Sequence, residues 1–153
     1  MSSYIEFFVA RRGERPIEIF CSSRSSAIYQ VFSAPYNDLK RIKSEDLVAV
    51  RDELKEESAL TEKNLKMLED ERTQVINSSN SIDEKREWLK DLRAERKDYE
   101  DAKEENERAL EFVNFLNAVL GTLAYTREDE FYDLLVGIDV SDETLENYKG
   151  QKI

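Results

Sequence analysis

Residues 44–76, SEDLVAVRDELKEESALTEKNLKMLEDERTQVI, contain neither glycine nor proline, and Leu47, Leu54, Thr61, Leu68 and Val75 recur in them at strict seven-residue spacing. Ser58, Leu65 and Arg72 stand at the intervening positions, so the stretch reads as a helix with one coiled-coil seam. Ser44, followed by Glu45 and Asp46, supplies an N-cap and first-turn carboxylates that the helix dipole favours. The polar cluster Asn77-Ser78-Ser79-Asn80 breaks the pattern. Ser81-Ile82-Asp83-Glu84 then has the form of a capping box and starts a second helix that runs to about Tyr125.

In that second helix Trp88, Glu95, Ala102, Ala109 and Leu116 alternate with Leu92, Tyr99, Asn106, Val113 and Leu120, again a heptad pattern. The short turn between the helices predicts antiparallel neighbours, with arms of about 50 Å and about 65 Å at the α-helical rise. Ser58, Thr61, Glu95 and Asn106 make the middle of this seam polar, which predicts loose packing there or completion by a partner. From Ala109 to Tyr125 apolar residues surround the helix, which predicts burial on all sides, between a sheet and the base of the first helix.

The sheet is read from both ends of the chain. Residues 4–10 and 17–21 alternate with period two through Ile5, Phe7, Val9 and Ile17, Ile19, Cys21, and the linker RRGERP suits a β-hairpin. A third alternating run holds Tyr132, Leu134, Val136, Ile138 and Val140. Ala27, Ile28, Val31 and Phe32 form one face of a short covering helix that Pro35 stops, and Ser141-Asp142-Glu143 caps a last helix containing Leu145 and Tyr148 and ended by Gly150. The fold class is therefore α+β. A small three-stranded antiparallel or mixed sheet with covering helices carries a long antiparallel helical hairpin inserted between strands 2 and 3. Residues 1–153 are expected to form a single domain, with 1–43 and 127–153 as a β-containing head and 44–126 as the hairpin stalk.

The composition narrows the function classes. The 23 basic and 34 acidic residues give a net charge of −11. It is unevenly spread: +3 over 1–43, −9 over 44–126 and −5 over 127–153. Such a chain repels nucleic acid over most of its surface and favours basic protein partners or simple solubility. No run is apolar enough for a membrane span, and a lone cysteine, Cys21, fits a reducing, cytoplasmic setting and a buried apolar position. Histidine is absent, which removes the commonest general base and the usual metal ligand. The four glycines form no phosphate-binding loop, and the clusters of Glu and Asp read as solvated helix faces, so neither cofactor, metal nor catalytic residues are expected.

What remains is binding. Glu104, Glu107 and Glu111 share one helix face and are candidate contacts for a basic surface on a larger protein. Arg11, Arg12 and Arg15 crowd the first hairpin tip, where they either meet phosphates or an acidic surface, or balance the acidic C-terminal segment. Tyr4, Phe8 and Phe20 are expected on the sheet face opposite Ile5 and Ile19, an aromatic patch suited to self-association. The expectation is a non-enzymatic, homo-oligomeric interaction protein of the kind seen in small adaptors, phage-type inhibitors of host machinery or virion assembly parts. A nucleic-acid binder using Arg11, Arg12 and Arg15, and a carboxylate-metal enzyme, are the alternatives from other classes.

Overall fold

The computed structural model describes residues 3–11, 13–23, 27–124 and 132–148, of which about 64% are helical. The expectations for Arg12, Tyr125 and Gly150 lie outside the described residues. Two units emerge from the distribution of contacts, Met1–Arg51 with Glu111–Ile153, and Asp52–Leu110. The division falls inside both long helices, because the first turns of one and the last turns of the other contribute to the packing around the sheet.

In the first unit β1 (Tyr4–Arg11), β2 (Ile17–Ser23), β3 (Lys40–Arg41) and β4 (Tyr132–Ile138) form one antiparallel sheet in the order β2-β1-β4-β3. The sheet thus has four strands where three were expected. β3 is only two residues long, too short to show any period. β4 pairs with β1 along its whole length, from Ile5 opposite Ile138 to Arg11 opposite Tyr132. As central strands these two bury residues on both faces, so Leu134, Leu135, Val136 and Ile138 are all buried and the alternation is lost. Gly13, at φ +83°, makes the turn between β1 and β2, where Glu14 N donates to Arg11 O at 2.9 Å.

The register of β1 against β2 shifts between Phe7 and Phe8: Phe7 faces Phe20, whereas Phe8 faces Glu18. This bulge corrects the expected aromatic patch. Phe8, 1% exposed, packs with Ala10, Leu135 and Leu145 beneath α4 (Asp142–Asn147). Phe20 lies on the opposite face, its ring 6.2 Å from Phe7 and 4.4 Å from Phe112 of α3 (Ile82–Ala124). Phe32, just after α1 (Ala27–Val31), completes the same aromatic cluster at 5.4 Å from Phe7. Cys21 is likewise exposed on the outer strand and not buried as expected.

The end of α3 buries one side only. Ala109, Phe112, Val113 and Leu116 are buried at i, i+3, i+4 and i+7, while Phe115 is 45% exposed. The all-round burial read from 109–125 is therefore replaced by a single face against the sheet.

The second unit holds α2 (Ser44–Ile76) from Asp52 to its end, and α3 as far as Leu110. Leu54, Thr61, Leu68 and Val75 are buried, which is the seven-residue seam of α2. In α3 the seam is Leu92 with Leu89 and Tyr99, packed on Leu68 and Val75. Trp88, Glu95 and Ala102 stand outside it and are exposed. The interhelical ion pairs Arg96–Glu69 (3.5 Å) and Lys103–Glu62 (3.2 Å) advance along α3 as they retreat along α2, the signature of an antiparallel pair. They also occupy the polar middle of the seam, where Thr61 turns its hydroxyl to Glu57 O at 2.9 Å. Each exposed pair contributes roughly 0.2–1 kcal/mol, so the hairpin relies mainly on its apolar contacts.

Candidate functional site

The turn of the helical hairpin is built by local hydrogen bonds. Asn77 N donates to Thr73 O and Ser78 N to Val75 O, ending α2, and the Ser78 hydroxyl donates to Val75 O at 2.7 Å. Ser81 caps α3 by accepting from Glu84 N at 3.3 Å, one half of the capping box, and Lys85 Nζ donates to Ile76 O at 3.1 Å across the turn. Several of the backbone groups left over at the two helix ends are thereby satisfied within the turn.

Beside this turn lies an open groove of about 510 Å³, lined by Met67, Asp70, Glu71, Gln74, Asn80 and Trp88 among others. Met67 is 59% exposed and Trp88 44%, while Ile76 and Ile82 are exposed at the turn itself. The heptad places Trp88 here: Leu92 counted back three positions gives Leu89 as the seam residue, which turns the indole outward. The two carboxylates in the groove have no intramolecular ion pair among the described residues, because the nearby arginines go elsewhere: Arg72 and Arg96 both engage Glu69. An aromatic face, a thioether and two uncompensated carboxylates, with no cation in the lining, suit a positively charged group on an apolar stem.

Comparison of the chain with known protein families, curated proteins and solved structures finds no match.

The residues expected to bind partners fall in both units. Glu104 and Glu107 are exposed on the second unit, Glu104 holding Arg108 at 2.8 Å, and Glu111 is exposed on the first. At the other expected patch Arg15 pairs with Asp142 at 3.0 Å and with Glu146, and Arg11 pairs with Glu14 at 3.9 Å. Among the described residues of the tip, Arg15 is thus engaged by the acidic helix α4. Tyr148, pushed up by burial and by the hydrogen bond its hydroxyl donates to Asp133 at 2.7 Å, is held as a neutral phenol that anchors α4. The Cys21 thiol is also pushed up, by partial desolvation and then by Glu18 and Glu6, which disfavours the nucleophilic thiolate. No group of three or more metal-ligating side chains occurs among the described residues. No described helix is long and apolar enough to cross a membrane.

Met67, Asp70, Glu71 and Trp88 are absent from the sequence-derived candidates. The heptad reading had set Trp88 in the seam, and the acidic clusters of the helices, Asp70 and Glu71 among them, had read as a solvated face.

Proposed function

We propose that this chain is a non-enzymatic interaction protein whose helical hairpin docks on a basic surface of a larger protein, as an adaptor or inhibitor. The observation that carries the reading is the combination, on a hairpin whose seam is closed by its own side chains, of exposed Met67 and Trp88 with the unpaired carboxylates of Asp70 and Glu71. A solvated helix face needs charge but no exposed tryptophan, whereas interface centres are enriched in Trp and Met. The surrounding unit supports the same polarity, since acidic residues outnumber basic ones along 44–126.

Self-association draws no support from the sheet, since Phe8 is buried and Phe20 is packed against Phe7 and Phe112. Phosphate binding at the first hairpin tip is disfavoured because Arg15 is already engaged by two carboxylates.

The test is capture of a partner on the immobilised chain at low salt, its identification, and reassembly from the two purified proteins. Affinity should fall steadily as ionic strength rises from about 50 mM to about 500 mM, since exposed charges are screened over that range. An affinity that stays flat would contradict an acidic docking surface.

A further inference from the structure

The groove beside the helical turn has a more specific chemistry than general acidity. We propose that it receives an arginine side chain from an exposed segment of the partner protein, its guanidinium stacked on the Trp88 indole and paired with the carboxylates of Asp70 and Glu71. This rests on the reading of the hairpin as the docking element.

Arginine fits better than lysine for reasons visible in the lining. A planar guanidinium stacks on an aromatic face and presents five donors in a fixed fork, whereas an ammonium is a compact, strongly hydrated point charge. The amide side chains of Gln74 and Asn80 offer further carbonyl acceptors for donors that the carboxylates leave over. Met67, flexible and polarisable, can follow the methylene stem. The volume of about 510 Å³ lies within the roughly 300–1,000 Å³ of ligand clefts, room for one long side chain and its neighbours. A phosphate-bearing partner is rejected by the same two carboxylates, and a second copy of this chain would bring its own net charge of −11 toward them.

The chain contains one tryptophan, so emission excited selectively in the indole band, beyond the absorption of the seven tyrosines, reports on this groove. The probe is an acetylated leucine-arginine tetrapeptide amide, compared with the same peptide carrying citrulline, which keeps the planar group and removes the charge. The arginine peptide should give a saturable change in Trp88 emission. Citrulline, or the double variant Asp70→Asn with Glu71→Gln, should weaken it by about tenfold or more, the factor that losing one charge-assisted contact corresponds to. Thermal melts of the double variant should match the parent, since exposed charge changes usually shift stability by within about 0.5 kcal/mol. No saturable change at millimolar peptide, or undiminished binding to the double variant, overturns the assignment. Failure with the peptide while the reassembled partner still binds the hairpin in a salt-dependent way removes the groove and leaves the hairpin reading standing. Peptide binding alongside a partner indifferent to hairpin charge supports the groove and removes that reading.

Discussion

At Gly137 the β4 backbone passes so close to the segment before β3 that a Cβ would stand 2.2 Å from Asp38 O and 2.6 Å from Val140 Cγ2. Neither neighbour can yield easily, one being backbone and the other packed under α4. Gly137→Ala is therefore expected to cost about 1–3 kcal/mol, the usual penalty of overpacking. A thermal midpoint equal to that of the parent would show that the loop adapts.

Glu6, half-buried on β1, is a second test at this scale. Its carboxyl is pushed above its ordinary 4.5, first by burial and also by Glu18 and Asp139, although the bond from Val140 N at 2.9 Å opposes the shift. The native state thus holds the proton more tightly than the unfolded chain. This stabilisation is present below the ordinary value and is lost as pH rises through the raised one. Glu6→Gln keeps an acceptor for Val140 N, and should flatten the decline in melting temperature between mildly acid and neutral pH. An unchanged pH profile would assign the decline to other groups. The face each side chain occupies was the least legible quantity: the shift between Phe7 and Phe8 leaves no mark in composition, yet it sends Phe8 and Phe20 to opposite sides.

The two long helices were the most legible elements, because strict spacing in α2 puts Leu47, Leu54, Thr61, Leu68 and Val75 on one buried line. α3 was legible only in half its register. Trp88, Glu95 and Ala102 follow a seven-residue rhythm as regular as that of the true seam, and the size of the indole favoured the wrong line. A pair of truncations checks the assignment. Leu92→Ala should destabilise by about 2–5 kcal/mol, as removal of a buried leucine does, whereas Trp88→Ala should cost under about 1 kcal/mol. The reverse order, measured by denaturant unfolding, would return Trp88 to the seam. β3 and the groove were beyond reach of pattern reading, one because two residues carry no period, the other because it exists only once the turn brings residues 67–80 and 88 together.

At the scale of the whole molecule the acidic excess and its uneven spread along the chain were visible from the sequence, while the pairing of individual charges needed the structure. At the first hairpin tip Arg15 is matched by Asp142 and Glu146 and Arg11 by Glu14, whereas Asp70 and Glu71 beside the helical turn have no ion pair among the described residues. On the proposed reading the docking charge lies on the hairpin, and Arg15 at the tip serves internal balance. The most direct measurement compares association rates of the purified partner with two charge-reversed variants, Asp70→Lys with Glu71→Lys, and Arg11→Glu with Arg15→Glu. Slowing of association by about tenfold or more in the hairpin variant, with a weaker salt dependence and little effect of the tip variant, is the expected result. Loss of binding confined to the arginine variant would contradict the account and move the partner to the sheet.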